Sequence, residues 1–159
     1  MPQKDPITIL LVDDEEMVLT SIKSFLAIET DYKVLAYTSP LKALDEMDHL
    51  NMDLVISDYL MPEMDGITFL GRVKERFPQA PRILLTGYAD KENAIKAIND
   101  VGLYQYIEKP WNNDDLNLII RNGLEKTILL KRLQEKIQEV ERAQQELSEI
   151  QRQILRVFA

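Results

Sequence analysis

The stretch LVISDYLMPEMDG, residues 54–66, decides the fold. A mostly apolar run, LVIS, closes on the carboxylate of Asp58, and two turn signals follow at once, Met61-Pro62 and Asp65-Gly66. A short apolar run bounded by turn residues suits a strand buried on both faces of a parallel sheet. A carboxylate at the end of such a strand stands at the sheet edge. The chain must then turn away, with Pro62 holding the loop rigid and Asp65-Gly66 leading into the next helix.

The same pattern recurs along the chain. ITILLVD (7–13), KVLAYT (33–38), RILLT (82–86) and YQYIEK (104–109) read as further strands. Helical patterns separate them. MVLTSIKSFLAIE (17–29) places Val18, Ile22, Phe25 and Leu26 at helical spacing. Ser39 and Pro40 supply a cap and a first position for SPLKALDEMDHL. GITFLGRVKERF (66–77) runs into Pro78 and Pro81, and DKENAIKAIND (90–100) is expected to start on an Asp90 cap and end at Gly102. Five strand–helix units predict an α/β fold: a five-stranded parallel sheet, doubly wound in the flavodoxin-like manner, with right-handed crossovers. Sites in such sheets lie beyond the carboxyl ends of the strands.

Composition excludes several chemistries. The chain has 159 residues, 45% of them hydrophobic, enough for one domain with a real core. It has no cysteine and one histidine, His49. Thiol nucleophiles, Cys-ligated zinc, His clusters and a Ser-His-Asp triad are therefore out. No membrane span or signal peptide is visible, which predicts a soluble cytoplasmic protein. The net charge is −8, and residues 1–120 carry 11 Lys+Arg against 21 Asp+Glu. So acidic a body is a poor partner for nucleic acid.

The predicted topology gathers four strand ends on one edge: Asp13-Asp14, Asp58, Thr86 and Lys109. Carboxylates brought together repel and call for a cation, and hard oxygen ligands suit Mg²⁺. A carboxylate beside Mg²⁺ is a nucleophile toward a phosphoryl group, giving an aspartyl phosphate. A lysine there pairs with phosphoryl oxygens, and the Thr86 hydroxyl can donate to another. A backbone carbonyl in the turn, that of Leu60, could face the cation.

Asp13-Asp14, Asp58 followed by Met61-Pro62 and Gly66, Thr86, and Lys109-Pro110 together resemble the receiver domain of two-component response regulators. The resemblance covers residues 5 to about 125. It implies that Asp58 accepts a phosphoryl group from a sensor histidine kinase. It implies Asp14 and Asp58 as direct Mg²⁺ ligands, Asp13 acting mainly through water, and the Leu60 carbonyl completing the protein set. Thr86 and Tyr106 would be the switch pair, Lys109 the phosphoryl partner, and Lys109–Pro110 a cis bond. Such a domain is a phosphoacceptor rather than an enzyme acting on other substrates. A finer similarity joins LTGYADKENAIKAIND (85–100) and YQYIEKPWNNDDL (104–116) to receivers attached to output domains of cyclic-di-GMP turnover or phosphatase type.

The last helix is expected to run from Asn113 to the end, about 70 Å at about 1.5 Å per residue. From Leu130 it carries a heptad: Leu130, Leu133, Ile137, Val140, Gln144, Leu147, Gln151, Ile154 and Phe158, with spacings of 3 and 4. The d positions are all apolar, and two a positions are glutamine. Lys136 at g and Glu141 at the next e attract across a parallel dimer. The expected domains are thus a receiver over 1–125 and a dimerising coiled coil over 126–159, leading to an output domain. VFA at the terminus carries no cap signal and points to a cut inside a longer protein.

Rival readings remain at this level. A haloacid dehalogenase-type phosphohydrolase also forms an aspartyl phosphate, but it wants Asp-x-Asp on the first strand. A flavin module wants a Ser/Thr/Gly-rich loop where DDEEM stands. A degenerate receiver could act as a dimerising adaptor. His49 reads as a solvated helix end, Trp111 as packing, and Asp114-Asp115 as first-turn acids suited to the helix dipole. Glu15 and Glu16 are either outer groups of the site or first-turn acids.

Overall fold

The computed structural model describes residues 6–158; the outermost residues of the two expected domains, 1–5 and 159, lie outside them. The chain divides into two compact units, one ending at Leu124 and one beginning at Glu125.

The first unit alternates strand and helix. Its elements are β1 (Thr8–Val12), α1 (Glu16–Glu29), β2 (Lys33–Tyr37), α2 (Pro40–Glu46), β3 (Leu54–Asp58), α3 (Gly66–Arg76), β4 (Arg82–Thr86), α4 (Lys91–Asp100), β5 (Gln105–Glu108) and the start of α5 (Asn113–Phe158). Short 3-10 turns follow α2 and precede α4. All strand pairs are parallel, in the order β2-β1-β3-β4-β5. The three inner strands are buried along their whole length, which is why they read as mostly apolar runs rather than alternating ones.

Alternate residues of each strand face opposite sides. Leu10, Val12, Val55 and Leu84 join Ala43, Phe69, Leu70, Val73, Ala94 and Ala97 from α2, α3 and α4 in one core. Ile9, Leu11, Ile56, Ile83 and Leu85, of opposite parity, are as fully buried, as are Ile22 and Leu26 of α1 and Leu116, Ile120 and Leu124 of α5. The buried stripe of α1 is Leu19, Ile22 and Leu26, with Val18 and Phe25 on its flanks.

Local signals place the helix ends. Ser39 accepts a hydrogen bond from the Lys42 amide, with Pro40 in the first turn. Asp65 caps α3 by accepting from the Thr68 amide at 2.8 Å. Asp90 occupies the N-cap position of α4, but its side chain makes no capping bond there. The cap position is as expected, but the side-chain bond is not made: the preceding turn, Tyr88–Asp90, is already helical, and Asp90 is its last residue rather than an extended entry to α4. Gly102 takes a positive φ of 63° just after α4, the left-handed region that favours glycine.

In the second unit, Leu130, Leu133, Ile137, Val140, Leu147, Ile154 and Phe158 are all exposed. No helix among the described residues is long and apolar enough to cross a membrane.

Candidate site at the carboxyl edge of the sheet

The edge forms because β1 and β3 are neighbours at the centre of the sheet, so Val12 stands beside Ser57 and the next residues of each chain meet. Asp13 donates its amide to the Tyr37 carbonyl, and Tyr59 donates to that of Leu85, so the backbone is held one step past each strand. Asp13, Asp14 and Asp58 consequently each offer a carboxylate oxygen within 4.8 Å of the others. Asp13 is fully buried, Asp58 nearly so at 8%, and Asp14 is exposed.

Lys109 reaches the same point from the far edge. Its amide donates to the Thr86 carbonyl at the end of β4. Its Nζ lies 3.0 Å from Asp58 Oδ1 and 3.1 Å from Asp13 Oδ2. One ammonium thus bridges two buried carboxylates. Asp13 Oδ1 also accepts from the Glu15 amide at 2.9 Å.

Burial pushes the Asp13 and Asp58 carboxyls above the ordinary range, although Lys109 opposes the rise. Burial pulls the Lys109 ammonium down, but its hydrogen bonds to Asp58 and Asp13 outweigh that, and the net shift is upward. Three carboxylates against one lysine leave the cluster anionic once ionised. A cluster of hard oxygen donors with surplus negative charge fits a divalent cation of the Mg²⁺ class.

The remaining expected residues fall around this centre. Thr86 is fully buried at the end of β4, and its hydroxyl donates to the Gly87 carbonyl. Tyr106 is half-buried and packs on the α2–α4 core. Leu84 and Tyr106 are register partners, as are Thr86 and Glu108, so Thr86 and Tyr106 share one face of the sheet. Leu60 lies exposed in the loop after β3. The Lys109–Pro110 bond is cis. His49 lies on the turn after α2 and Asp114-Asp115 in the first turn of α5, and the Trp111 indole donates to Asn113 Oδ1.

Two features escaped the sequence. Gly66 was expected as a turn residue, yet its φ is not positive. Its importance is closeness: a Cβ there would stand 2.0 Å from the Asp58 carbonyl oxygen. The Gly66 amide also donates to the Tyr59 carbonyl at 2.7 Å. The first turn of α3 is therefore pressed directly against the end of β3. The second is Arg82, read only as the start of a strand. It is buried, and its guanidinium donates to the carbonyls of Pro78, Ala80, Val101 and Gly102. Arg82 ties together the two loops at the opposite end of the sheet.

An anionic edge of this kind on a five-stranded parallel sheet is the arrangement expected of a phosphoacceptor signalling domain. The profile described as "Response regulator receiver domain" matches residues 9–121, and the chain belongs to that family. Receivers of this family are phosphorylated on an aspartate in a Mg²⁺-dependent reaction, and a histidine kinase is their partner. Among similar proteins, "Response regulator Rre1" of Synechocystis sp. is 37% identical over 122 residues, 76% of this chain and 52% of that protein. "Hydrogenase transcriptional regulatory protein HoxA" of Cupriavidus necator is 35% identical over 118 residues, 74% of this chain but 24% of that protein. The chain therefore spans about a quarter to a half of these relatives. Among solved structures, the signal receiver domain of an HD domain-containing protein from Pseudomonas fluorescens Pf-5 superposes with a TM-score of 0.72 at 37% identity, over 77% of this chain and 97% of that one. Membership sets aside the flavin and phosphohydrolase readings.

Proposed function

We propose that Asp58 is the phosphoacceptor of this chain, that Asp13, Asp14, Asp58 and the Leu60 carbonyl hold Mg²⁺, and that Lys109 binds the incoming phosphoryl group. The supporting observation is the Lys109 ammonium held 3.0 Å from Asp58 Oδ1 and 3.1 Å from Asp13 Oδ2, beside a third carboxylate. Mg²⁺ bound there supplies positive charge against both the carboxylates and the phosphoryl oxygens. An Asp58 carboxylate oxygen forms a P–O bond as the P–N bond to the phosphohistidine of a sensor kinase breaks. The electron pair of that bond returns to the donor imidazole. Lys109 exchanges its contact with Asp58 for one with a phosphoryl oxygen, a charge-assisted bond.

The new group adds close to two negative charges and strong acceptors. Thr86 turns its hydroxyl from the Gly87 carbonyl to a phosphoryl oxygen. The space it vacates admits Tyr106, which lies on the same face of the sheet, and the surface over α4 and β5 changes shape. The domain is a cytoplasmic switch and catalyses nothing beyond its own phosphorylation and dephosphorylation. Residues 1–125 act as the receiver. Residues 126–159 pair with a second copy and connect to an output domain of a longer protein. The partners are proteins, not nucleic acid or membrane.

The test is intact mass after incubation with Mg²⁺ and acetyl phosphate. Wild type should gain one phosphoryl group and Asp58→Asn none. Equal labelling of the two would overturn the assignment. No labelling of either, together with no Mg²⁺ binding by titration calorimetry, would favour the degenerate adaptor.

A further inference from the structure

We propose that the second unit pairs with a second copy of this chain in parallel through a seam that has two registers beyond Val140, related by a rotation of each helix of about 50°, one heptad position on the helical wheel. This rests on the dimer reading given above. The first register continues the heptad of the proximal half and places Gln144, Leu147, Gln151, Ile154 and Phe158 at the interface. The second keeps Val140, Leu147 and Ile154 and takes Ala143, Ile150 and Val157 in place of Gln144, Gln151 and Phe158, again at spacings of 3 and 4. Ile150 is 53% exposed and Val157 78%. The first register leaves both outside the core, and the second takes both into it.

Each register has its own compensation. In the first, the two glutamines face their counterparts and can hydrogen-bond across the seam, while Lys136 at g meets Glu141 at e of the other chain. In the second, the glutamines move to flanking positions. There Gln144 stands opposite Glu139 of the other copy and Gln151 opposite its Glu146, which suits amide donors to carboxylates. The second register brings Ala143 and Ile150 into the seam and avoids placing amides in the core, at the cost of exchanging Phe158 for the smaller Val157. It cannot extend toward the receiver, because the corresponding proximal position is Lys136. The proximal Leu130, Leu133 and Ile137 therefore stay in the first register. The join at Ile137, Val140 and Ala143 has two successive spacings of 3, a stammer that overwinds the coil locally. Neither register is free of conflict, and a phosphorylation-dependent change elsewhere has a two-state element to bias.

The chain has no cysteine, so single-cysteine variants report cleanly. Ala143→Cys, Gln144→Cys, Ile150→Cys and Gln151→Cys are made in the full chain. Each is treated with a mild thiol oxidant, and the rate of symmetric disulfide formation is read on a non-reducing gel. Sedimentation equilibrium on each variant establishes whether it is a dimer. Two registers predict that positions 143 and 144 cross-link at rates within several-fold of each other, as do 150 and 151. Adding Gln144→Leu and Gln151→Leu to Ile150→Cys should slow its cross-linking at least tenfold by stabilising the first register. A dimer that cross-links only at 144 and 151, or only at 143 and 150, has one seam and overturns the proposal. A dimer that cross-links at none of them is not parallel and also overturns it. A monomer would instead remove the dimer reading on which it rests.

Discussion

Replacing Gly66 by alanine tests the contact that joins α3 to the reactive strand. The new Cβ would meet the Asp58 carbonyl oxygen at 2.0 Å, the carbonyl carbon at 2.9 Å and Leu84 Cδ1 at 3.0 Å. Ordinary contact begins near 3.4 Å, so strand end and helix must separate by about 1.4 Å. The obstacle is backbone, which no side-chain rotation relieves. Overpacking typically costs 1–3 kcal/mol, and the upper part of that range, about 3 kcal/mol, is expected here. With a urea m-value of about 1–3 kcal/mol per M, the midpoint should fall by at least about 1 M. The same shift displaces the Asp58 backbone, and a misplacement of about 1 Å at a reacting group costs on the order of 100-fold in rate. Phosphorylation by acetyl phosphate, followed by intact mass, should slow accordingly. Gly71, on the same helix, is the control. A Cβ there meets only Val101 Cγ1 at 3.5 Å, so Gly71→Ala should stabilise by about 0.5–1 kcal/mol through reduced chain entropy. Gly66→Ala with wild-type midpoint and rate, or both alanines shifting stability in the same direction, would refute the close-approach argument.

Other perturbations follow from the charges and from Arg82. Lys109→Met leaves Asp13 and Asp58 buried without their cation and should cost about 1–3 kcal/mol in urea unfolding, most of it restored by millimolar Mg²⁺. Asp13 and Asp58 have folded pKa values above 3.8, so the stability they lend is complete below that pH and fades as pH rises through the folded values. Mg²⁺ should therefore raise the melting temperature more at pH 7 than at pH 4; a benefit independent of pH would contradict the site. Tyr37 donates to Glu46, and that hydrogen bond, aided by burial, pushes its phenol up to about 12. Its contribution is present below pH 10 and lost between 10 and 12, so wild type should lose more stability than Tyr37→Phe over that interval, read from urea midpoints. Arg82→Met strips four carbonyls of their donor and should destabilise by about 2–4 kcal/mol, seen as a lower midpoint and faster hydrogen exchange around residues 101–102.

Much of this was legible because the sheet is parallel and buried. The inner strands announce themselves as apolar runs, and β3 and β4 have the expected bounds. The strand ends bring Asp13, Asp14, Asp58, Thr86 and Lys109 to one edge with no further assumption than topology. What escaped are effects that no local pattern carries. Gly66 reads as a turn glycine in any sequence; only the packed helix shows that Asp58 excludes a side chain there. Arg82 carries no mark of the four carbonyls it serves, since they come from two loops distant in sequence. The ammonium bridge from Lys109 to Asp13 spans 96 residues and is set by the sheet order alone. Asp90 stands at the N-cap position as its spacing implies, but makes no side-chain bond there, because a helical turn precedes it.

The order β2-β1-β3-β4-β5 has a consequence for how the molecule assembles and frays. In any state where β1 and β3 are paired and β5 is not, Asp13, Asp14 and Asp58 stand together without their lysine. The lysine that answers them follows β5, an edge strand bonded on one side only. In such a state the like-charge repulsion stays unrelieved until the edge closes. Opening of that edge in the folded protein withdraws the ammonium and exposes the same repulsion. Amide exchange along β5 should then report the charge state of a cluster two strands away, slowing when a cation is bound and quickening when it is removed.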